Sequence, residues 1–156
     1  MLFLDVDGPF IPLGGTPVDH GHDNTAHPLL DRLDPALGPA LLGLGRDLLW
    51  ATTWGEDANT LLCPLLGLPR LPVVTWPDGP DDGVDRWFGL HWKTRTLVGH
   101  AAGRAFVWVD DEITDADRTW VADNHPGPGL PYRVDPARGL SLEDVDHIAD
   151  WLRTEA

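Results

Sequence analysis

The residues of this chain with the clearest chemical potential are carboxylates that directly follow apolar segments. Asp5 and Asp7 follow the first apolar segment, and Asp110 and Asp111 follow the apolar run 105–109. Acids that converge without partners repel one another, so their convergence requires a cation. Because the donors are all oxygens, the pattern predicts a hard divalent cation, and Mg²⁺ in particular.

Two further elements of the pattern are a pair of hydroxyls and a lysine. Thr52 and Thr53 follow a second apolar segment, and Lys93 lies in a predicted helix. Taken singly, each such residue has an ordinary structural explanation, since an aspartate at a strand end more often caps a turn. The whole set, in which every member but Lys93 follows a strand, predicts one site at which a cation and a lysine balance several acids.

The elements that must position these residues are alternating strands and helices. Short apolar runs predict five strands: 2–6, 47–52, 71–75, 105–109 and 132–134. Helical spacing of apolar residues predicts five helical regions, the first broken at Gly38 and Pro39 and the second ending or kinking before Pro64: 27–44, 56–62, 91–100, 114–124 and 141–153. This alternation predicts an α/β fold, a Rossmann-like three-layer sandwich with a mainly parallel five-stranded sheet. Right-handed crossovers then bring the carboxyl ends of the strands to one edge.

Composition restricts the class of protein further. The 156 residues suit a single domain, 1–156, and the 25 acidic and 11 basic residues give a formal net charge of −14. That charge disfavours nucleic acid and anionic membranes as partners, because both are polyanions. Cys63 is the only cysteine, which excludes an internal disulfide, and no apolar run reaches the roughly 18 residues of a membrane span. With no signal-peptide pattern at its start, we expect a cytoplasmic protein.

The ordered set Asp5-Val6-Asp7-Gly8, Thr52, Lys93 and Asp110-Asp111 resembles the haloacid dehalogenase-like (HAD) hydrolase superfamily. The resemblance covers residues 1 to about 115, and the later strand and helix fit the same fold. The segments DVDGPF and WATTWGEDAN also resemble a group of small actinobacterial HAD-domain proteins, a likeness that names no substrate. The superfamily resemblance implies a Mg²⁺-dependent phosphatase that hydrolyses a phosphomonoester through an aspartyl-phosphate intermediate.

The resemblance assigns distinct roles to the first two carboxylates. Asp5 would be the nucleophile that attacks phosphorus, which divides one difficult hydrolysis into two steps. Asp7 would be the general acid and base that protonates the leaving oxygen and then activates water. In a regular strand the two side chains would point to opposite faces, so the backbone must turn after Asp5, and Gly8 permits such a turn. Pro9 departs from the Thr or Val usual in the family and removes a backbone donor near the phosphate.

The phosphate ligands implied by the resemblance are Thr52, Thr53 and Lys93. Thr52 would donate its hydroxyl to a phosphate oxygen, with help from the amide of Thr53. The alternative, that Thr53 itself is the main phosphate ligand, stays open at the level of the sequence. Lys93 would neutralise Asp5 and the transferred phosphoryl group.

The metal ligands implied by the resemblance are Asp5, the main-chain carbonyl of Asp7, Asp110 and Asp111. Asp111 would bind directly or through water, and Asp115 competes with it because some family members place the second acid several residues later. The ion would hold the phosphate against the nucleophile and offset charge repulsion.

The lengths of the connecting segments bear on the substrate. Neither residues 8–46 nor residues 76–92 leave room for a folded cap domain beside the predicted elements, so we expect a capless member with an open site. The flap 9–26 and the loop 76–92 would form its rim. For Trp54, Trp76, Trp87 and Trp92 we favour core packing over ligand stacking. For His20, His22 and His27 we favour solvated loop positions over a zinc site.

Other classes of protein remain as alternatives. One is a catalytically weak HAD domain for binding or assembly, and another is a nucleic-acid end-processing phosphatase, which the acidic loop 78–85 disfavours. A receiver domain uses similar residues but places its lysine after the fifth strand, and the dehalogenases lack the metal and its acid pair. The expected partner is a small phosphomonoester or a phosphorylated macromolecule, and the oligomeric state stays open.

Overall fold

The computed structural model of the chain describes residues 1–14, 28–78 and 83–155. Most of the predicted flap 9–26, with His20 and His22, lies outside the described residues, and so does His27. Residues 79–82 of the acidic loop also lie outside them. Statements about the fold and the site below concern the described residues.

The described residues form one parallel sheet of four strands in the order β2-β1-β3-β4. The strands are β1 (Leu2–Leu4), β2 (Leu48–Trp50), β3 (Phe106–Asp110) and β4 (Gly129–Arg133). Every residue of β1, β2 and β3 is buried, as continuous apolar strands are when a parallel sheet is covered on both faces. The predicted α/β class with a parallel sheet is therefore confirmed.

Six α-helices lie around this sheet in the described part of the chain. They are α1 (Leu37–Gly43), α2 (Cys63–Leu66), α3 (Val84–Phe88), α4 (Thr94–Ala101), α5 (Asp115–Asn124) and α6 (Leu142–Glu155). A 3₁₀-helix, Pro28–Arg32, precedes α1, and a π-helical turn, Ala58–Leu62, leads into α2 just before Pro64. None of the helices in the described ranges combines the length and the apolar character needed to cross a membrane.

The predicted break at Gly38 and Pro39 is wrong, because both residues lie in the first turn of α1. Proline is tolerated there, since the first amides of a helix have no partner within it. A Cβ atom at Gly38 would lie 1.7 Å from the carbonyl oxygen of Leu66, so glycine permits α1 to pack closely against α2. The interruption instead falls at residues 33–36.

The predicted strand 71–75 is also wrong, and the described sheet has four strands rather than five. The segment contributes a single parallel bridge between Val73 and Trp50. The amide of Trp50 donates to the carbonyl of Pro72 at 2.9 Å, and the amide of Val74 donates to that of Trp50 at 2.8 Å. Pro72 has no N–H with which to extend the ladder. The last strand, predicted at 132–134, begins earlier, and its Pro131 is compatible with an edge position.

The sheet separates two groups of buried apolar side chains. Leu2, Leu4, Val107 and Val109 point to the face covered by α1 and α6, whereas Phe3 and Trp108 point to the face covered by α4 and α5. This alternation follows from the two-residue period of a strand. Helices therefore cover both faces, and the polar ends of the strands remain the place where functional side chains can collect.

The order of the strands determines where along this edge of the sheet a ligand can bind. The chain adds β2 on one side of β1 and later adds β3 on the other side. In parallel α/β sheets, ligands bind at such a reversal, beyond the carboxyl ends of the strands. Leu4 pairs with both Trp50 and Val109, so Asp5, Ala51 and Asp110 lie next to one another along this edge.

Candidate active site

A buried lysine joins two carboxylates at the carboxyl ends of β1 and β3, that of Asp5, which follows β1, and that of Asp110, the last residue of β3. The Nζ atom of Lys93 lies 2.9 Å from Oδ2 of Asp5 and 2.8 Å from Oδ2 of Asp110. All three residues are buried, and Lys93 lies immediately before α4, as its N-cap residue. Residues far apart in the sequence therefore meet where the strand register brings them together.

The carboxylate of Asp110 is held on both of its oxygens. Besides Lys93, its Oδ2 accepts a hydrogen bond from the indole Nε1 of Trp108 at 3.2 Å. Its Oδ1 accepts from the amide of Glu112 at 2.9 Å. These contacts fix the orientation of the Asp110 carboxylate at the edge of the sheet.

Asp111 completes a group of three acids at this position. One carboxylate oxygen from each of Asp5, Asp110 and Asp111 lies within 4.8 Å of the others. Gly8 permits this approach, because a Cβ atom there would lie 2.4 Å from Cγ of Asp111. The φ angle of Gly8 is also +86°, a conformation that favours glycine, so the turn expected after Asp5 is present.

The electrostatics of the group are dominated by burial and by repulsion among the acids. Burial and the neighbouring charge of Asp110 raise the pKa of Asp5 to about 7, against the opposing effect of Lys93. Burial raises the pKa of Asp111 as well, and Asp110 adds to that rise. Within the described residues, Lys93 is the only cationic side chain within ion-pair distance of any of the three carboxylates, and it pairs with Asp5 and Asp110. The group therefore carries more negative charge than its protein partners neutralise.

This donor set fits a hard divalent cation. Its side-chain donors are all carboxylate oxygens, which suit Mg²⁺ or a similar ion better than a soft metal. Cys63, the only cysteine, is buried in the apolar core, and its thiol donates a hydrogen bond to Oδ1 of Asn59. The surplus negative charge of the group is the feature that a bound cation would offset.

Asp7 lies beside this group but its carboxylate does not belong to it. Its Oδ2 accepts a hydrogen bond from Nε1 of Trp54 at 3.0 Å. The backbone around it is tied by the amides of Phe10 and Ile11, which donate to the carbonyl of Val6 at 3.0 and 3.1 Å. The expected role of the Asp7 carbonyl as a metal ligand stays a prediction.

The two threonines after β2 differ in their surroundings. Thr52 is buried, and its Oγ1 accepts from the amide of Trp54 at 3.2 Å, which leaves the hydroxyl hydrogen to donate elsewhere. Nε1 of Trp76 donates to the carbonyl of Thr52 at 3.2 Å. Thr53 is exposed and has no such side-chain contact within the described ranges. This geometry favours Thr52 as the fixed hydroxyl donor, with Thr53 as the alternative.

Asp115, the competing second acid, lies elsewhere. It occupies the first turn of α5, its side chain is fully exposed, and its Oδ1 forms an ion pair with Arg118 at 2.8 Å. The acid that the structure brings beside Asp5 and Asp110 is therefore Asp111.

Sequence reasoning missed the residues that hold the lysine in place. Asp117 is completely buried and accepts hydrogen bonds from the amide of His91 and the hydroxyl of Thr94, which flank Lys93. Nε2 of His91 also lies 3.1 Å from Oε2 of Glu112. The spacing of Thr114 and Asp117 was a visible signal for a capping box, but the contacts to the lysine segment cross between elements and leave no local pattern.

His91, Asp110 and Glu112 form a second set of donors that lie within 4.8 Å of one another. This set contains an imidazole and an exposed glutamate, so it differs in chemistry from the all-carboxylate group. Asp110 belongs to both sets, and any test of metal binding must tell them apart.

Fold and site together define an α/β protein with a buried acid–lysine centre at the carboxyl edge of a parallel sheet. No protein-family model matches the chain, and neither a curated protein nor a solved structure matches it. A functional interpretation of this centre therefore depends on the chemistry of its own residues.

Proposed function

We propose that this protein is a capless, Rossmann-like phosphatase of the HAD type that hydrolyses a phosphomonoester with the help of Mg²⁺. The observation that carries the proposal is the bridge from Nζ of Lys93 to Asp5 and Asp110, with Asp111 alongside. A buried surplus of carboxylates is costly to a fold, so its presence at a ligand-binding edge supports a catalytic role.

Asp5 is the nucleophile of the proposed reaction. One of its oxygens attacks phosphorus, the bond from phosphorus to the leaving oxygen breaks, and an aspartyl phosphate forms on Asp5. Lys93 neutralises the charge of the phosphoryl oxygens as the group is transferred. When bound by Asp5, Asp110, Asp111 and the carbonyl of Asp7, Mg²⁺ would supply further positive charge toward the phosphate and the acids.

Asp7 moves the protons in both half-reactions. Protonated Asp7 gives its proton to the leaving oxygen, which departs as an alcohol. The resulting carboxylate then takes a proton from water, whose oxygen attacks the phosphorus of the aspartyl phosphate. The bond between phosphorus and Asp5 breaks, inorganic phosphate leaves, and both acids return to their starting states. Trp54 orients Asp7 through the 3.0 Å hydrogen bond to its Oδ2.

Thr52 holds the phosphate during these steps. Its hydroxyl is buried and held in place by the amide of Trp54. It can therefore donate to a phosphate oxygen without the entropy cost of ordering the side chain on binding. The amide or hydroxyl of Thr53 is the neighbouring donor. The formal net charge of −14 supports a substrate with a single phosphate rather than a polyanion.

The test is phosphate release from p-nitrophenyl phosphate and a panel of sugar phosphates, nucleotides and phosphopeptides, with Mg²⁺ or with a chelator. We expect turnover that requires Mg²⁺ and that falls by about 10³-fold or more in Asp5→Asn, as for loss of a covalent nucleophile. Asp115→Asn makes the same chemical change at an exposed acid outside the site and is expected to retain full activity. If the folded wild type with Mg²⁺ turns over no member of the panel, the phosphatase proposal is wrong and a binding or assembly domain is the better interpretation.

A further inference from the structure

Two tryptophans form an aromatic surface, here called the aromatic wall, that consists of Trp76 and Trp92. Their ring centroids are 4.7 Å apart and the rings are inclined by 69°, an edge-to-face arrangement. The ring of Trp92 also lies against His91, with centroids 5.5 Å apart. Trp92 is therefore held from two sides while 43% of it remains exposed.

The aromatic wall is joined to the candidate active site at both of its ends. Nε1 of Trp76 donates to the carbonyl of Thr52 at 3.2 Å. The ring centroid of Trp92 lies 5.5 Å from Nζ of Lys93. The wall thus connects two of the residues that contact the phosphate in the proposed reaction, Thr52 and Lys93.

Core packing explains only one of these two tryptophans. Trp76 is partly buried and packs against the apolar cluster that contains Phe3 and Trp108. Trp92 contributes to neither apolar core cluster of the described residues. A large aromatic ring that is ordered, exposed and adjacent to a phosphate-binding lysine is suited to stacking against a planar ligand group.

We propose that the aromatic wall selects phosphomonoesters whose leaving group carries a planar aromatic ring, and that this ring lies on Trp92. This inference rests on the proposed phosphatase function and adds the class of substrate. The acidic balance of the chain favours an aromatic group without further negative charge. A nucleobase and a phenol or benzyl group share the required chemistry.

The test compares benzyl phosphate with cyclohexylmethyl phosphate, two primary alkyl esters of similar size that differ in aromaticity. We expect kcat/KM of the wild type to favour benzyl phosphate by roughly tenfold, within the range of stacking on one aromatic side chain. In Trp92→Leu the ratio of kcat/KM for benzyl phosphate to that for cyclohexylmethyl phosphate falls to about one, because KM for benzyl phosphate rises. In Trp92→Phe, which keeps an aromatic ring, most of the preference for benzyl phosphate is restored. Trp151→Leu, on α6 at the other face of the sheet, is the matched control and keeps the wild-type ratio. A ratio that is the same in Trp92→Leu and in the wild type would overturn the proposal.

A second measurement separates failure of the aromatic wall from failure of the phosphatase proposal. Calorimetry with benzylphosphonate and cyclohexylmethylphosphonate in the presence of Mg²⁺ reports the aromatic preference without turnover. Preferential binding that disappears in Trp92→Leu supports the wall even if no ester is hydrolysed. Turnover without any aromatic preference overturns the wall and leaves the phosphatase proposal standing.

The source of the ring is then distinguished by two matched pairs of substrates. Uridine monophosphate is compared with ribose 5-phosphate, and phosphotyrosine is compared with phosphoserine. A preference in the first pair that Trp92→Leu removes identifies a nucleobase as the ring, and one in the second pair identifies a phenol. If neither pair shows a preference that depends on Trp92 while benzyl phosphate does, the ring is an arene of the benzyl type. If benzyl phosphate shows none either, the proposed class of substrate is wrong.

Discussion

Asp117 and Asp110 are both completely buried, but the protein compensates their charges in different ways. Asp117 accepts hydrogen bonds from the amides of His91 and Thr114 and from the hydroxyls of Thr94 and Thr114. Asp110 shares the ammonium of Lys93 with Asp5 and has Asp111 as its neighbour in the chain. The first carboxylate is stabilised by neutral dipoles, and the second belongs to a group with surplus negative charge.

This difference separates a structural acid from a functional one. A buried carboxylate with a full set of donors fixes the geometry around it, and here it fixes the segment that carries Lys93. A buried group of acids with one lysine retains negative charge that the protein itself does not neutralise. We therefore expect mutations at Asp110 and at Asp117 to act on different properties of the protein.

The largest expected effect is the loss of activity in Asp110→Asn. The change removes one acid of the cation site and one partner of Lys93, and we expect kcat with Mg²⁺ to fall by about 10³-fold, or about 4 kcal/mol in the barrier. Without metal, removal of the repulsion between Asp110 and Asp5 offsets part of the cost of an amide nitrogen that faces either the amide of Glu112 or the donors of Lys93 and Trp108. The variant should therefore lose less free energy of unfolding in urea than Asp117→Asn. Wild-type turnover in a folded Asp110→Asn protein would contradict the role of this acid.

Asp117→Asn should instead lower stability. The substitution replaces one acceptor oxygen with an NH₂ donor, which then faces the donors of His91 and Thr94 or those of Thr114. We expect about 3 kcal/mol less free energy of unfolding in urea. Asp115→Asn, in the first turn of the same helix but fully exposed, should stay within about 0.5 kcal/mol of the wild type. Equal stabilities of the two variants would show that Asp117 does not carry the structural role assigned to it.

The stability of the metal-free protein should depend on pH because of the surplus negative charge around Asp5. Burial and the charge of Asp110 raise the pKa of Asp5 to about 7 in the folded state, so the folded state binds the proton more tightly than the unfolded state. The free energy of unfolding should therefore increase as the pH falls from 8 through 7 toward 4, by at most about 1.4 kcal/mol per pH unit from this group.

Two controls identify the group responsible for that pH dependence. Asp5→Asn should reduce the slope between pH 8 and pH 5 in urea titrations, since the variant has no carboxyl group at position 5, and the slope that remains comes from Asp111, whose pKa burial also raises. Mg²⁺ should stabilise the wild type more at pH 8 than at pH 5, because protonation competes with metal binding. A slope that persists unchanged in Asp5→Asn would assign the effect to another group.

The smallest effect expected is that of Trp54→Phe, which removes the hydrogen bond to Oδ2 of Asp7. Loss of this orienting contact should lower kcat by about tenfold for substrates with basic leaving groups, which need the proton from Asp7. p-Nitrophenyl phosphate, whose leaving group needs no proton, should be affected much less. An equal loss for both kinds of leaving group would show that Trp54 does not act through Asp7.

Much of the fold was predictable because its strongest signals are local. The apolar runs that became β1 and β3 are followed directly by acids, and the parallel arrangement follows from alternation with helices. The segment 71–75 has a similar apolar character, but Pro72 limits it to one bridge. The hydrophobic pattern of the segment therefore predicts a strand, but it does not show that the hydrogen bonds between strands end after one bridge.

The sequence allowed us to predict which acids and which lysine come together, but not the side chains that hold them in position. Asp5, Asp110 and Lys93 could be placed together because strand ends converge and because the ordered motif resembles a known superfamily. The bond from Trp54 to Asp7 and those from Asp117 to the segment before α4 join side chains of separate elements. Such contacts depend on the packed structure, and no single stretch of sequence encodes them.

The position of a bound cation in a crystal grown with Mn²⁺ in place of Mg²⁺ tests most directly whether Asp5, Asp110 and Asp111 form one metal site. Anomalous scattering locates Mn²⁺ without reliance on its ligands. We expect one peak in direct coordination with carboxylate oxygens of Asp5 and Asp110, with Asp111 bound directly or through water. A peak held by His91 and Glu112 without Asp5, or no peak at this edge of the sheet, would contradict this expectation.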